Sequence, residues 1–565
     1  MTGYLFSLLE YIGREKDLAR EETLRRMALS REEKIGEGFL LPDMHVISSV
    51  SGKDSAESVL RYTSGRMQLR VGERVTLRSA SGASLKGTVL EVGFATITVS
   101  HGTTVLDASV TWDAESLDSP LYDGFLSALS SIGEADPGAF FLDILSGSSR
   151  PLVEPPYGAD PAVLSAAASY QNQLDESQMG ALLASARQPS LHLVQGPPGT
   201  GKTRVLSCLA SALSQSGMDT AILAKTHQAV NNALNAVLKC APERTVVKIG
   251  QLTRSEGLSL EVLTFDTFGS YLSWRKSSKR HGRSSDIVGM TLNAAAVNMC
   301  LRNSGFKPQS VLVDEASQIP VAKAAMIGAS GASSIIFFGD DRQMPPIFYP
   351  ELEADPLSES VFSLLRRLHP GCVSVLGVSY RMNDEICSLV SNRFYEPFGI
   401  HIVSSAMAAP RRMVLAGDTE DERIADLFRE GRSSVVRLDV SREGDRRDSN
   451  PEEGLFAAAV AGYAMRCGVH PGDIAVITPF RRQVALVRAA LNRSGWRDGN
   501  CPLVDTVERL QGQDVRLIIL SFSVTDPDYY TKVKGFLEDR NRLNVMVSRA
   551  KEKVVILASG LVEVQ

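Results

Sequence analysis

An eight-residue, glycine-rich loop constrains the fold of this chain more than any other feature. Residues 196–203 read GPPGTGKT; the strand-like run LHLVQ precedes them, and the helix-like run RVLSCLASAL follows. Strand, loop and helix in this order form the phosphate-binding unit of a P-loop protein. The glycines let several backbone N–H groups converge on an anion at the start of the helix. The sequence therefore predicts an α/β lobe that binds nucleotide phosphates.

The residues of this loop have expected roles. The Lys202 ammonium would bring a positive charge to the β- and γ-phosphates, and the Thr203 hydroxyl can hold Mg²⁺. We expect the loop and the residue after it to hold ATP: Gly196, Pro197, Pro198, Gly199, Thr200, Gly201, Lys202, Thr203 and Arg204.

A P-loop needs a carboxylate for the metal at the end of a neighbouring strand, and residues 311–318, VLVDEASQ, supply one. Asp314 is the expected ligand of Mg²⁺, with Thr203. Glu315, beside it, could polarise the attacking water. A lone Asp-Glu pair is usually a solvent-exposed pair without a functional role, but this pair follows an apolar strand downstream of the P-loop. The reaction class predicted is hydrolysis of a nucleoside triphosphate.

Apolar segments of strand length alternate with helical stretches from residue 191 onwards. They read as buried parallel strands in two sets, split near residue 347, and predict two doubly wound α/β lobes. The segments are LHLVQG, TAILA, SVLVDEA and SIIFFGD in the first set, and SVLGV, DIAVITP and VRLIILSFS in the second.

The N-terminal part of the chain has a different texture. Residues 4–29 place leucines among Glu and Arg in a partly amphipathic helix pattern, and residues 67–100 read as short strands broken by Gly and Ser turns. A small antiparallel barrel would absorb such strands without leaving exposed edges. The barrel either contacts nucleic acid or is a spacer.

Five further motifs decide among the P-loop families. They are LDESQ, ending at Gln178; GDDRQMPP at 339–346; VSYRMNDEI at 378–386; VDTVERLQGQDVRLIILS at 504–521; and NRLNVMVSRAKEKVVIL at 541–557. In this order they make about residues 170–558 resemble the superfamily 1 helicases, specifically the Upf-like branch. The N-terminal helix and barrel look like the stalk and the inserted barrel of that family.

The resemblance implies an α/β fold with two tandem RecA-like P-loop lobes and an N-terminal extension. The expected division is a helical stalk at residues 1–60, a small β-barrel at 61–115, a helical connection at 116–169, the first lobe at 170–347 and the second lobe at 348–565.

The resemblance also assigns roles around the nucleotide. Gln178 would read the adenine edge through its amide, and Tyr380 would stack on the base. Gln343 would sense the γ-phosphate, which Arg381 and Arg549 would reach from the second lobe. Arginines on a second lobe can make hydrolysis depend on lobe closure, by about 10³ to 10⁵ in rate.

The motif at 504–521 departs from the family pattern. The family has Asp and Glu on either side of its Gln-Gly pair, whereas this chain has Glu508 and Asp514, each the other acid. The charge is retained, but the reach of each side chain differs by one methylene group. The resemblance implies a ribose contact for Asp514.

Single-stranded nucleic acid crosses both lobes in the family, held by loops that follow strands. Hydroxyl contacts to phosphates and one stacked ring are the expected interactions. The residues are Thr226, Thr291, Thr478 and Thr506 for the hydroxyl bonds, and Phe480 for the stacking. His227 either contacts a phosphate or is a loop histidine whose hydrogen-bonding groups are paired within the protein. The basic segment 274–283, WRKSSKRHGR, is either a solvated loop or a further contact.

Composition adds weaker expectations. Lys and Arg number 60 against 65 Asp and Glu, a net charge of −5 that argues only weakly against nucleic acid. The seven cysteines are scattered singly, without a CxxC pair, which fits a reducing, intracellular setting and no zinc site. With no long apolar run and no recognisable secretion signal, we expect a monomeric, cytoplasmic protein that does not span a membrane.

The sequence therefore predicts an ATP-dependent helicase or translocase that acts on single-stranded DNA or RNA. Family membership implies 5′ to 3′ movement. A clamp or ribonucleoprotein remodeller that hydrolyses ATP without separating a duplex remains open, because unwinding also needs a wedge. A non-enzymatic scaffold is a third reading, opposed by the intact Glu315, Gln343, Arg381 and Arg549.

Overall fold

Two helices open the chain in the computed structural model. It describes residues 2–37, 39–51, 55–62, 74–92, 96–116, 122–133, 137–250, 255, 257–279, 285–298, 306–441, 444–496, 500–509 and 514–562. The helices are α1 (Thr2–Ala28) and α2 (Arg31–Glu37). Helix α1 is tied to the first lobe by a 2.6 Å ion pair between Glu15 and Lys323 and a 2.8 Å hydrogen bond between the hydroxyls of Tyr11 and Ser358.

A closed six-stranded antiparallel barrel follows, with strand order β1-β2-β5-β4-β3-β6. The strands are β1 (Leu40–Ser51), β2 (Ala56–Arg61), β3 (Arg74–Ser79), β4 (Ser84–Val92), β5 (Thr96–His101) and β6 (Trp112–Ser116). The barrel therefore begins at Leu40, and the expected start at residue 61 is wrong. Pro42 and the serines of β1 hide its alternation, because proline within a run argues against a strand.

Four helices connect the barrel to the first lobe: α3 (Tyr122–Ser130), α4 (Pro137–Leu145), α5 (Pro161–Ala168) and α6 (Glu176–Ala186). Helix α4 packs on the sheet of that lobe, where the rings of Phe141 and Phe337 stack with their centroids 6.2 Å apart. The connection is thus part of the same hydrophobic core as the lobe.

The first lobe is an eight-stranded parallel sheet with helices on both faces. Its strands are β7 (Leu191–Gln195), β8 (Thr220–Ala224), β9 (Val246–Ile249), β10 (Leu263–Phe265), β11 (Ile287–Thr291), β12 (Ser310–Val313), β13 (Ser334–Gly339) and β14 (Val373–Val375), in the order β10-β9-β11-β8-β12-β13-β7-β14. Its helices are α7 (Lys202–Gln215), α8 (His227–Cys240), α9 (Phe268–Lys279), α10 (Leu292–Asn298), α11 (Val321–Ala324) and α12 (Val361–Leu368). Since β14 pairs with β7, the expected boundary at 347 is too early.

The second lobe holds a five-stranded parallel sheet. After the two-residue strands β15 (Val378–Ser379) and β16 (Val403–Ser404), its strands are β17 (Val435–Leu438), β18 (Ile474–Ile477), β19 (Leu503–Asp505), β20 (Val515–Ser521) and β21 (Ala550–Leu557), in the order β17-β21-β20-β18-β19. Its helices are α13 (Asp384–Val390), α14 (Glu422–Leu427), α15 (Pro451–Arg466), α16 (Arg481–Arg493), α17 (Pro527–Leu537) and α18 (Arg540–Ser548).

The α/β class, the two parallel-sheet lobes and the small barrel predicted from the sequence are confirmed. Within the described residues, the structure contains no helix that is both long enough and apolar enough to span a membrane.

Candidate active site

A cleft of about 730 Å³ lies between the two lobes, where loops leave the carboxyl ends of their strands. The first lobe lines it with the P-loop and with Lys225, Thr226, Asp314, Glu315, Gln318 and Gln343, and the second lobe with Arg381, Glu508, Asp514 and Arg549. All seven predicted catalytic residues, Lys202, Thr203, Asp314, Glu315, Gln343, Arg381 and Arg549, therefore line one cleft.

The P-loop has the backbone that its glycines allow. Gly199 and Gly201 have φ values of 73° and 86°, a left-handed region that favours glycine. A Cβ at Gly201 would lie 2.5 Å from the amide nitrogen of Gln178. The Lys202 ammonium folds over the loop and donates a hydrogen bond to the carbonyl of Gly196. The lysine is thus held at the mouth of the anion site.

Asp314 and Glu315 lie at the end of β12, on the same side of the cleft as the P-loop. Asp314 is 4% exposed, and burial together with the charge of Glu315 raises its pKa to about 7, an effect that Lys202 opposes. Two adjacent carboxylates in a buried site are costly without a cation. Mg²⁺ prefers hard oxygen ligands and is often bound by one or two carboxylates plus nucleotide phosphates. Asp314 and the Thr203 hydroxyl fit such an ion.

Both arginines enter the cleft from the second lobe. Arg381 pairs with Asp514 at 2.6 Å and donates to the Ser548 carbonyl at 3.0 Å. Arg549 is 5% exposed and donates to the Gln343 side-chain oxygen at 3.3 Å. Burial, and then the charge of Arg381, lower the pKa of Arg549 to about 10. Both guanidinium groups are therefore held where a γ-phosphate would compensate their mutual repulsion.

The two acids of the 504–521 motif take different partners. Asp514 accepts the ion pair from Arg381, so in this arrangement it faces an arginine of the cleft. Glu508 pairs with Arg542 of α18 at 2.9 Å. The Gln-Gly pair between them lies outside the described residues. The ribose contact expected of Asp514 stays a prediction.

Gln178 lies behind the P-loop and does not line the cleft. It is 2% exposed, its amide nitrogen donates to the Thr200 carbonyl at 2.9 Å, and it forms a capping box with Asp175 at the start of α6. Its hydrogen-bonding groups are committed to holding the P-loop. The contact of its amide with the adenine stays a prediction.

Two other residues expected to hold ATP, Tyr380 and Arg204, are accessible. Tyr380 is 41% exposed, and its hydroxyl donates to Asp175 at 2.9 Å. Burial and the charge of Asp175 raise the pKa of Tyr380 to about 12. Arg204 is exposed and donates to the Gln173 carbonyl at 3.0 Å. The Tyr380 ring is free to stack on a base, and that role stays a prediction.

Comparison with known proteins agrees with this geometry. Two family models, each described as an AAA domain, match residues 173–355 and 357–560. The DNA replication ATP-dependent helicase/nuclease dna2 of Schizosaccharomyces pombe is 28% identical over 68% of this chain and 28% of that protein. The DNA-binding protein SMUBP-2 of Mus musculus is 26% identical over 75% of this chain and 46% of that protein.

The two AAA-domain matches and the similarity to these two proteins support the resemblance of the chain to the superfamily 1 helicases. The chain spans less than half the length of these two relatives. The solved structure of Arterivirus nonstructural protein 10 (helicase) is a more distant match, with 15% identity and a TM-score of 0.40 over 91% of this chain and 80% of that chain.

The threonines predicted to hold nucleic acid differ in how accessible they are. Thr226 caps α8 and is exposed, but it lines the nucleotide cleft. Thr506 is half-buried after β19. Thr291 is 6% exposed and its hydroxyl accepts from the amide of Ala294, while Thr478 is 0% exposed. Both side chains are buried in this arrangement, and the phosphate contacts expected of Thr291 and Thr478 stay predictions.

The other nucleic-acid candidates also differ from one another. His227 is half-buried at the start of α8, so both of its readings stay open. Phe480 packs between two rings, with its centroid 6.2 Å from that of Tyr529 and 6.1 Å from that of Phe536. It is half-buried, and its stacking role stays a prediction.

The basic segment 274–283 is only partly a basic surface. Arg275 is 4% exposed and pairs with Asp219 at 2.5 Å and with Asp286 at 3.3 Å, so it anchors α9 inside the lobe. Lys276 is exposed on the same helix, and Arg280 and Arg283 lie outside the described residues. Arg275 is therefore not part of the surface on which a nucleic-acid contact was expected.

A substitution at Gly199 tests the contact between the P-loop and the second lobe. A Cβ there would lie 2.5 Å from the Cβ of Arg381, and the φ of 73° strains any other residue. We expect Gly199→Ala to displace Arg381 and to lower kcat for ATP hydrolysis about tenfold. Steady-state ATPase measurements check this.

Gly180→Ala is the matched control. Gly180 lies within α6, where a Cβ would meet nothing within 4 Å, so alanine should leave kcat unchanged and stabilise the helix by up to about 1 kcal/mol. A Gly199→Ala protein with kcat within twofold of the parent would show that this contact is unimportant.

A buried carboxylate organises the loops next to Thr478. Glu453 on α15 is 0% exposed, and its side chain accepts hydrogen bonds from the Ser521 hydroxyl at 2.9 Å and the Ser523 amide at 2.8 Å. Gln483, five residues after Thr478, also donates to the Ser521 hydroxyl at 2.9 Å. Burial raises the pKa of Glu453 to about 7, which these hydrogen bonds only partly oppose.

This shift predicts a pH dependence of stability. Because the folded chain holds the proton of Glu453 up to about pH 7 while the unfolded chain loses it near 4.5, stability falls as pH rises between these values. Glu453→Gln removes the charge, and we expect its stabilising effect to be about 2 kcal/mol larger at pH 8 than at pH 5. Denaturant unfolding at both pH values measures this difference.

Glu452→Gln is the control, because Glu452 lies on the same helical turn but faces Arg446 at 3.2 Å. This variant is unfolded under the same two conditions. Equal effects of Glu453→Gln at the two pH values would contradict the raised pKa.

Proposed function

We propose that this chain is an ATP-dependent helicase or translocase that moves along single-stranded nucleic acid. The observation that carries the proposal is the composition of the cleft: the first lobe contributes Lys202, Asp314 and Glu315, and the second contributes Arg381 and Arg549. Charge-stabilising groups supplied by a second body make phosphoryl transfer depend on how the two bodies are placed. Hydrolysis would therefore be coupled to lobe movement.

The residues divide the chemistry among them. Lys202 and the P-loop amides would bind the β- and γ-phosphates. A magnesium ion held by Thr203 and Asp314 would neutralise phosphate charge. Glu315 would accept a proton from the attacking water. The water oxygen would bond to the γ-phosphorus while the bond from that phosphorus to the leaving ADP breaks.

The same cleft suggests how hydrolysis could drive movement. ATP would draw Arg381 and Arg549 towards its γ-phosphate and close the lobes, and loss of that phosphate would release them. Alternating grip by the loops of the two lobes would then advance the chain along a strand. We propose 5′ to 3′ movement, as the family implies, and single-stranded DNA as the first substrate to test, because both similar proteins carry DNA in their names. The monomeric state and the cytoplasmic location stay predictions.

Two assays test the proposal. ATP hydrolysis is measured with matched DNA and RNA oligonucleotides across a series of salt concentrations. The steepness with which nucleic-acid binding weakens as salt rises counts the phosphate contacts. We expect stimulation by at least one of the two. Failure of both to stimulate hydrolysis would overturn the proposal.

Strand displacement on duplexes with 5′ or 3′ overhangs separates a helicase from a clamp or remodeller. Unwinding of the 5′-overhang substrate supports the helicase. Stimulated hydrolysis without displacement of either substrate would favour the clamp or remodeller instead.

A further inference from the structure

We propose that Tyr395 of the second lobe is a positioning residue for hydrolysis, because its hydroxyl couples the ATP site to the helix that leads to Arg549. The inference rests on the proposed ATPase function and adds a residue that none of the sequence motifs assigned to the nucleotide site. It is argued from a ring of hydrogen bonds that crosses from one lobe to the other and is closed by the backbone of α18.

The first half of the ring is centred on Asp340, directly after β13. Asp340 is 2% exposed and accepts from the side-chain amides of Gln195 at 2.6 Å and Gln343 at 2.8 Å. Gln195 is the residue before the P-loop, and Gln343 is the expected γ-phosphate sensor. One buried carboxylate therefore holds both the root of the P-loop and the sensor.

The second half of the ring comes from the other lobe. Tyr395 is 0% exposed, and its hydroxyl donates to Asp340 at 2.6 Å. The same hydroxyl accepts from the side-chain amide of Asn544 at 2.8 Å, and that amide also donates to the Arg342 carbonyl at 2.7 Å. Asn544 lies on α18, so the tyrosine joins this helix to the first lobe.

Arg549 closes the ring. It directly follows α18 and donates to the Gln343 oxygen at 3.3 Å. The Gln343 amide is thus bound on one side to Asp340 and on the other to Arg549. A γ-phosphate in the cleft would compete for both Gln343 and Arg549.

The hydrogen bonds of Tyr395 would stay unchanged when a γ-phosphate competes for Gln343 and Arg549. When Gln343 turns to the phosphate, Asp340 keeps its donors Gln195 and Tyr395. The tyrosine hydroxyl then still fixes α18, and with it Arg549, against the first lobe. Hydrogen bonds to a buried carboxylate are among the strong ones, so loss of this hydroxyl should misplace the arginine.

The test compares Tyr395→Phe, Asn544→Ala and the double variant with the parent chain. We expect each single variant to lower kcat for ATP hydrolysis about tenfold, measured with saturating single-stranded DNA, while KM for ATP changes less than twofold. The double variant should be no slower than the slower single variant, because both break one ring. Tyr463→Phe is the control: Tyr463 is also buried in the second lobe, but its hydroxyl donates to the Gly417 carbonyl at 3.4 Å.

The outcomes separate this inference from the proposed function. A parent chain that hydrolyses ATP without stimulation by nucleic acid contradicts the proposed function, and the same kcat comparison still decides the role of Tyr395. The role is overturned if Tyr395→Phe keeps kcat within twofold, if KM rises while kcat is kept, if the two single effects multiply in the double variant, or if Tyr463→Phe slows hydrolysis equally.

Discussion

Replacing Lys202 with alanine should lower kcat for ATP hydrolysis by about 10³-fold, the effect of removing a preorganised charge from a transition state. The ammonium lines the cleft at the first residue of α7, directly after the glycine-rich loop. It also lowers the pKa of Asp314, opposing burial and the charge of Glu315. Its loss would therefore weaken phosphate binding and also favour a protonated, metal-free Asp314.

Lys202→Arg should not restore activity, because a planar guanidinium cannot replace a compact ammonium on the loop. Lys239→Ala is the control, since Lys239 is exposed in the last turn of α8 and does not line the cleft. Single-turnover and steady-state hydrolysis measure both effects. A Lys202→Ala protein with more than about a tenth of the parent activity would show that the cleft is not the hydrolytic site.

The sequence could predict the first-lobe side of the cleft because local structure positions the residues that line it. The P-loop and Asp314 directly follow strands of one parallel sheet, and Gln343 lies in the loop after a third strand, so strand order brings them to one edge. Arg381 and Arg549 could be assigned only through a resemblance to a family, because nothing local says that a second lobe will face the first.

Three residues predicted to contact a ligand are buried, and their burial has a shared physical cause. Gln178, Thr291 and Thr478 were expected to face a ligand, yet each is buried by an element distant in sequence or commits its polar group to a local cap. The same holds for Tyr395, whose partner Asp340 lies 55 residues away in the other lobe. Burial and long-range hydrogen bonds depend on packing, which neither periodicity nor motif spacing encodes.

The buried arginine illustrates a conflict between function and stability. Arg549 is 5% exposed, and burial together with the charge of Arg381 lowers its pKa well below its usual value, to about 10. Since the charged form is the disfavoured one in the folded chain, the penalty is fully present below pH 10 and is relieved only as pH rises above it. The shift corresponds to about 3 kcal/mol at neutral pH.

Arg549→Met should therefore raise the stability of the nucleotide-free protein while it destroys hydrolysis. Methionine retains much of the buried volume without the charge, and the gain, less the lost hydrogen bond to Gln343, is about 1 to 2 kcal/mol. Loss of a charge-stabilising arginine should lower kcat by about 10³-fold or more. Denaturant unfolding at pH 7.5 and steady-state hydrolysis measure the two changes on the same preparation.

Arg516→Met supplies the comparison, because Arg516 lies in the same lobe, is 38% exposed and pairs with Glu552 at 2.8 Å. Surface pairs of this kind contribute about 0 to 1 kcal/mol, so this variant should be slightly less stable and fully active. If Arg549→Met instead proved less stable than Arg516→Met and still hydrolysed ATP, the arginine would be an ordinary buried ion-pair partner. A more stable and inactive protein would mean that the folded chain tolerates an unfavourable charge because the γ-phosphate of ATP requires it.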